Sequence, residues 1–193
     1  DNGQTDEGRA FVFHGSVTGL STTANWIKES DQANALFGRN VSCAGDVNGD
    51  GYSDVIAGAD GFDNGQTDEG RAFVFHGSAT GLPANSNWSA DSDQANASFG
   101  WSLAAAGDVN GDGYSDVVIG APNFDNGQAY EGRAFVFHGA AQGLSTSSNW
   151  TLEGNQASAQ FGLSVASAGD VNGDGLGDVI IGAPYYDNCQ TDE

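Results

Sequence analysis

The chain has 193 residues, and 26 aspartate and glutamate residues against 5 lysine and arginine residues give it a net charge of −21 at pH 7. Such an acidic surface repels nucleic acid and anionic membranes, and no apolar run is long enough to cross a bilayer, so nucleic-acid binding and membrane insertion are excluded. The 38% of hydrophobic residues argues for a folded core and against a disordered acidic chain.

The sequence repeats itself with a period of 62 residues along its whole length. The phrase DVNGDGYSD occupies residues 46–54 and 108–116, and it returns as DVNGDGLGD at residues 170–178. The period divides the chain into two complete and two partial units: 1–36 (partial), 37–98, 99–160 and 161–193 (partial). A repeat of this length predicts an array of similar structural units.

Each complete unit is predicted to contain four short strands. In chain order, the strands of the second complete unit are expected at residues 99–108, 116–122, 132–139 and 148–153. Clusters of Gly, Asn, Asp and Pro separate them, and no helical period is sustained. Four strands per repeated unit are typical of a β-propeller blade. The sequence therefore predicts an all-β fold of antiparallel four-stranded propeller blades, about three per chain.

The two partial units are complementary. Residues 1–36 are expected to supply a third and a fourth strand, and residues 161–193 a first and a second strand. Three blades do not close a ring, because propellers typically have about four to eight. We therefore expect a head-to-tail homodimer whose two chains complete a six-bladed ring, with a slice of a longer array as the alternative.

The repeated acidic phrase predicts a structural calcium site. Oxygen-bearing side chains stand at its positions 1, 3, 5 and 9, position 7 offers a backbone carbonyl, and glycine at position 6 permits a sharp turn. Such oxygen ligands suit Ca²⁺, whereas zinc would prefer the His and Cys that the phrase lacks. The predicted ligands of the three sites are Asp46, Asn48, Asp50, Tyr52, Asp54; Asp108, Asn110, Asp112, Tyr114, Asp116; and Asp170, Asn172, Asp174, Leu176, Asp178.

The phrase also has features of an EF-hand and of an Asx-rich turn. An EF-hand is excluded because its twelfth position holds Ala57, Ile119 and Ile181 instead of Glu, and because its flanks read as strands. An Asx-rich turn without a cation is the alternative. Three carboxylates within nine residues would repel one another without a cation, which favours the calcium loop. We expect a dissociation constant on the order of 10⁻⁴ M for Ca²⁺.

Short motifs on either side of the acidic phrase resemble a known repeat. The motifs are Phe37-Gly38, Phe99-Gly100 and Phe161-Gly162 before it, and Gly58-Ala59, Gly120-Ala121-Pro122 and Gly182-Ala183-Pro184 after it. They resemble the FG-GAP repeat of integrin α-subunit propellers and of many bacterial surface proteins. The resemblance covers essentially the whole chain, although Asp60 replaces the proline in the first unit. It implies Ca²⁺ in the hairpin between the first two strands of a blade.

The function implied by this resemblance is that of a calcium-stabilised module for extracellular adhesion or protein recognition, secreted or on the cell surface. Its partners would be a second copy of the chain and a protein or glycan ligand. A carbohydrate-binding lectin is the alternative, and a purely structural or engineered repeat scaffold is a further one. No Ser-His-Asp or Cys-His set stands out, so the sequence predicts a protein that is not an enzyme.

Several other residues are predicted to be structural. His14, His76 and His138 share one strand-end position and do not converge. The tryptophans are expected to pack between blades, with a sugar-binding platform as the alternative: Trp26, Trp88 and Trp150. The stretch DNGQTDEG at residues 63–70 is expected to be a solvated turn, with a further cation site as the alternative. Cys43 and Cys189 occupy unrelated repeat positions and are expected to be incidental thiols.

Overall fold

A computed structural model describes residues 3–187 of the chain, and all the regular structure in that range is β-strand. The strands are β1 (Arg9–Val12), β2 (Gly15–Ser16), β3 (Gly19–Leu20), β4 (Trp26–Glu29), β5 (Val41–Gly45), β6 (Asp54–Ala59), β7 (Arg71–Phe75), β8 (Trp88–Asp91), β9 (Ser102–Gly107), β10 (Asp116–Ala121), β11 (Arg133–Phe137), β12 (Trp150–Glu153), β13 (Ser164–Gly169) and β14 (Asp178–Gly182). Within these residues no helix is long and apolar enough to span a membrane.

The strands form antiparallel sheets in chain order. β5 to β8 make one four-stranded blade and β9 to β12 make another. β1 pairs with β4, β13 pairs with β14, and β2 and β3 form a small hairpin. The predicted all-β fold of four-stranded antiparallel blades is confirmed. The strands of the second complete blade lie inside the four ranges expected from the sequence.

The second strand of a complete blade is rich in apolar residues, because neighbouring blades cover it on both faces. All six residues of β10 are buried, and Val118 at its centre is 0% exposed. Ile180 holds the same repeat position in β14 but is 61% exposed. The difference arises because the half-blade of β13 and β14 is covered by another blade on one face only within the described residues.

Aromatic side chains pack each blade against the next. Trp26 of β4 meets Phe75 of β7 edge to face, with ring centroids 4.8 Å apart, and Trp88 meets Phe137 in the same way at 5.0 Å. Both tryptophans are buried. The prediction that the tryptophans pack between blades is therefore confirmed for these two residues.

Paired glycines allow neighbouring blades to approach closely. A methyl group added at Gly58 would lie 2.1 Å from the carbonyl oxygen of Gly100, and one at Gly120 would lie 2.0 Å from the carbonyl oxygen of Gly162. No side chain fits in this space. The glycine of one GAP motif thus packs on the glycine of the next FG motif, which explains why the two motifs recur together.

The first unit replaces the proline of its GAP motif with a buried acidic residue. Asp60 is 5% exposed and accepts a hydrogen bond of 2.9 Å from Nη1 of Arg39. The Arg39 guanidinium also lies 3.9 Å from the centre of the Trp101 ring of the next blade. Burial raises the pKa of Asp60, and the positive charge of Arg39 opposes that rise.

Candidate calcium sites

The three acidic phrases form the hairpin loops between the first and second strands of successive blades. They connect β5 to β6, β9 to β10, and β13 to β14. The glycine at the sixth position has a positive φ in each loop, +87° at Gly51 and +89° at both Gly113 and Gly175. The predicted sharp turn therefore exists in all three loops.

The first aspartate of each loop accepts hydrogen bonds from the backbone of the turn. Oδ1 of Asp46 accepts the N–H of Gly49 at 2.7 Å and of Asp50 at 3.1 Å, and Oδ2 accepts the N–H of Gly51 at 2.8 Å. The same three bonds recur at Asp108 and Asp170. Burial raises the pKa of Asp108, but the N–H groups outweigh it and the net pKa is lowered. The N–H groups, led by that of Gly175, lower the pKa of Asp170.

The third, fifth and seventh positions form a second set of contacts. Oδ1 of Asp50 accepts the N–H of Tyr52 at 3.0 Å, and Oδ2 accepts Nδ2 of Asn48 at 3.0 Å. The N–H of Tyr52 and then the amide of Asn48 lower the pKa of Asp50. The set recurs in the other two loops, on Asn110, Asp112 and Tyr114 and on Asn172, Asp174 and Leu176.

The ninth aspartate closes the hairpin from a buried position. Asp54 is 0% exposed, its Oδ2 accepts the N–H of Val47 at 2.9 Å, and its Oδ1 accepts the N–H of Gly77 at 2.8 Å. Asp116 makes the equivalent two bonds. Burial raises the pKa of Asp54 and of Asp116. Asp178 bonds to the N–H of Val171 at 2.8 Å.

The residues of each loop fit a hard divalent cation in charge and ligand type. The four ion pairs within residues 3–187 use Arg9, Arg39, Arg71 and Arg133, and none of them involves a loop carboxylate. The loops thus hold oxygen-bearing side chains and negative charge that no Lys or Arg side chain in that range pairs with. In the structure these oxygens accept hydrogen bonds from their own loop, which hold the carboxylates in place and leave lone pairs available for a cation.

Successive loops are joined to one another. The carbonyl of Asp46 accepts the N–H of Ser115 at 3.0 Å, and the carbonyl of Asp108 accepts the N–H of Gly177 at 2.7 Å. The Tyr114 ring also lies against Gly49 of the preceding loop. The structure therefore brings the three predicted sites together as a contiguous row at one end of the blades.

A separate acidic cluster combines Glu69, from the stretch at residues 63–70 for which a further cation site was the alternative, with two aspartates that the sequence did not indicate. Within residues 3–187, the group of three carboxylates whose oxygens lie within 4.8 Å of one another is Glu69, Asp91 and Asp93. Glu69 is 0% exposed, so the expectation of a solvated turn at residues 63–70 is wrong for this side chain. Asp91 and Asp93 alternate at the end of β8, but that pattern does not show that they face Glu69.

The structure describes one of the two cysteines and all three histidines that the sequence singles out. Cys43 is free and exposed, whereas Cys189 lies outside the described residues. The backbone N–H of His76 is bonded to Oδ1 of Asn87 at 2.8 Å, and His14 and His138 make the equivalent bond. This repeated backbone bond agrees with a structural position at the strand end.

Comparison with known proteins adds a family and several relatives. The sequence matches the FG-GAP repeat over residues 38–75, 99–137 and 161–193. It is 32% identical to integrin alpha-4 of Xenopus laevis over 190 residues, which cover 96% of the chain and 18% of that protein. It is 34% identical to phosphatidylinositol-glycan-specific phospholipase D of Mus musculus over 153 residues, which cover 75% of the chain and 18% of that protein. Integrin alpha-5 of Xenopus laevis is 33% identical, with 89% of the chain and 17% of the relative covered. The chain thus spans less than a fifth of the length of these relatives.

Proposed function

Since the chain belongs to the FG-GAP repeat family, we propose that it is a calcium-stabilised propeller module for extracellular adhesion or protein recognition. The observation that carries the proposal is the row of three acidic loops whose carboxylates form no ion pair with Lys or Arg within the described residues. Ca²⁺ would supply the missing positive charge. Its role is structural, because the loops sit at strand connections that hold a blade together.

The loop residues would contribute different oxygen atoms to the cation. In the middle loop, Asp108 and Asp112 supply charged oxygens, Asn110 supplies its amide oxygen, and Tyr114 supplies its backbone carbonyl. Asp116, already fixed by two backbone N–H groups, joins the loop to β10 and to Gly139 after β11. Binding at this loop therefore ties the first three strands of the blade to one another.

Recognition, and not catalysis, is the activity that we propose for this module. The integrin relatives support adhesion or protein binding, and the relatives support a location outside the cell or on its surface. The phospholipase D relatives share the repeats, but the chain matches only 18% of the mouse protein, so their activity is not transferred to this chain. The lectin alternative is weakened at two of its three tryptophans, because Trp26 and Trp88 are packed between blades and offer no sugar platform.

We also propose that two copies associate head to tail. Trp88 packs on Phe137 of the next blade, whereas Trp150, at the same repeat position, is 40% exposed beside a cleft of about 610 Å³. Phe13 holds the repeat position of Phe137 and is 44% exposed. Placing Phe13 of a second copy against Trp150 would reproduce the contact seen between the complete blades.

Light scattering in millimolar Ca²⁺ and in chelator tests both parts of the proposal. We expect a mass of twice the 19.7 kDa of one chain in Ca²⁺, and dissociation or aggregation in chelator. Trp150→Ala should give the mass of one chain without loss of strand content. A mass of 19.7 kDa for the unaltered chain in both buffers would contradict the dimer and leave further repeats of a longer chain as the cover for these faces.

Calcium titration of the same samples by calorimetry separates the two claims. Heat of binding with a mass of 19.7 kDa in both buffers would support the loops and contradict the dimer. No binding at millimolar Ca²⁺ would contradict the calcium sites whatever the mass. A glycan-array experiment on the same protein checks the lectin alternative, and specific sugar binding would overturn the preference for protein ligands.

A further inference from the structure

The cluster of Glu69, Asp91 and Asp93 lies apart from the three loops. Glu69 stands just before β7, Asp91 ends β8, and Asp93 follows in the next turn. Each residue contributes a carboxylate oxygen, and the three oxygens lie within 4.8 Å of one another. Three negative charges this close repel one another strongly unless a proton or a cation intervenes.

The Glu69 carboxylate has a buried oxygen without a hydrogen-bond partner. The side chain is 0% exposed, its Oε1 accepts the N–H of Asn64, and its Oε2 has no partner. Buried polar atoms in folded proteins are almost always paired, so an unpaired carboxylate oxygen indicates a missing partner. Because the same carboxyl group takes part in the acidic cluster, a cation held by the cluster would be that partner.

Arg71, the arginine of this blade, compensates little of the negative charge of the cluster. In the other units the equivalent arginine bonds directly to an acidic residue: Arg9 to Glu29, and Arg133 to Glu153. In this blade Nη2 of Arg71 donates to Oγ of Ser89 at 2.9 Å, and its Nε is 4.0 Å from Asp91. The guanidinium therefore leaves most of the cluster's charge uncompensated.

We propose that Glu69, Asp91 and Asp93 form a further divalent-cation site, distinct from the three hairpin loops. Its ligands are all carboxylate oxygens, which select a hard cation such as Ca²⁺ over zinc. The site joins the segment before β7 to the end of β8, so its cation fixes the outer edge of one blade. This proposal is independent of whether the three hairpin loops bind Ca²⁺.

The rival explanation is that Glu69 is a neutral acid. Burial raises the pKa of Glu69, and the charges of Asp91 and Asp93 add to that rise. A protonated Glu69 would need no cation, and a Gln in its place would be tolerated. The experiment must therefore distinguish a bound metal from a bound proton.

The next unit of the same chain is a matched control. Glu131 is buried like Glu69, and Glu153 replaces Asp91, but Asn155 stands where Asp93 does. That unit has no such carboxylate cluster among the described residues. Asp93→Asn thus converts the proposed site into an arrangement that the fold already accommodates.

Equilibrium dialysis against Ca²⁺ tests the proposal with the full chain. We expect Asp93→Asn to bind one Ca²⁺ fewer than the unaltered chain, and Asp112→Asn, in a loop, to lose a different one, so that the double variant loses both. Glu69→Gln should also lose one. A calcium count that Asp93→Asn or Glu69→Gln leaves unchanged, with the fold verified by circular dichroism, would overturn the site and favour the neutral acid.

A second measurement does not depend on any variant. Crystals of the unaltered chain soaked in Mn²⁺ can be examined by anomalous scattering. A peak among the three carboxylates supports the site, and an empty cluster in crystals whose loops are occupied overturns it. Empty loops with an occupied cluster would instead contradict the proposed loop sites alone.

Discussion

The indole Nε1 of Trp26 donates a hydrogen bond of 2.8 Å to the carbonyl oxygen of Pro83, which lies 57 residues later in the next blade. Trp88 makes the same bond to the carbonyl oxygen of Ser145 at 2.9 Å. Each tryptophan thus combines an edge-to-face ring contact with a directed hydrogen bond. Trp150 stands at the same repeat position, but it is 40% exposed.

Replacing Trp88 with Phe should weaken the joint between the two complete blades. The change removes the hydrogen bond to Ser145 and part of the buried ring, so we expect the free energy of unfolding to fall by about 1–3 kcal/mol. Urea denaturation followed by circular dichroism measures this loss. Trp150→Phe is the control at dilutions where the chain is monomeric, and an equal loss in both variants would contradict the inter-blade role of Trp88.

Adding a methyl group at Gly120 should be strongly destabilising. The group would lie 2.0 Å from the carbonyl oxygen of Gly162, so the blades must separate, and we expect a loss of about 1–3 kcal/mol or more. Gly182 holds the same repeat position, and the nearest atom to a methyl group there is 3.6 Å away. Thermal denaturation should therefore show a much smaller effect for Gly182→Ala under monomeric conditions. Similar melting temperatures for both variants would contradict the close approach of the blades at Gly120.

Removing one loop carboxylate should abolish part of the stabilisation by calcium. With a dissociation constant on the order of 10⁻⁴ M, 10 mM Ca²⁺ would stabilise the fold by about 2.7 kcal/mol per site. Asp112→Ala should lose that increment, and unfolding measured with and without chelator would show it. If the variant and the unaltered chain respond equally to Ca²⁺, the middle loop is not a calcium site.

Asp60 should make the stability of the first complete blade depend on pH. Because burial raises its pKa above the ordinary value of about 3.9, the folded state binds this proton more tightly than the unfolded state. The contribution of Asp60 to stability is then greatest below the unfolded pKa and is lost as pH rises through the folded pKa. Chemical denaturation between about pH 4 and pH 7 should show the stability of the unaltered chain falling relative to Asp60→Asn as pH rises. Parallel profiles would contradict the raised pKa.

The fold was predictable because its main signals are local and repeated. The alternation in the third strand and the turn residues around the acidic phrase place β11 and the hairpin loops directly from the sequence. The candidate calcium loops rest on spacing within nine residues, so their proposed ligands follow from the sequence alone and stay a prediction.

The sequence offered a cation site at residues 63–70 as an alternative, but the partners of Glu69 could not be predicted, because they come from a separate part of the blade. Asp91 and Asp93 lie more than twenty residues after Glu69, and only the pairing of β7 with β8 brings them near. The neighbouring unit has the same strand pattern without the cluster, so the pattern alone carries no sign of it. The contact between Gly58 and Gly100 was hidden for the same reason, since it joins two blades.

The contacts between blades also bear on how such a gene can grow or shrink. Three contacts join each blade to the next: tryptophan with a carbonyl oxygen, glycine with glycine, and loop with loop. Each of these contacts recurs after 62 residues. A tandem duplication of any 62-residue window, whatever its first codon, therefore creates a new joint whose two sides already match. Unequal recombination between copies can change the number of blades in one step while every surviving contact keeps its partner.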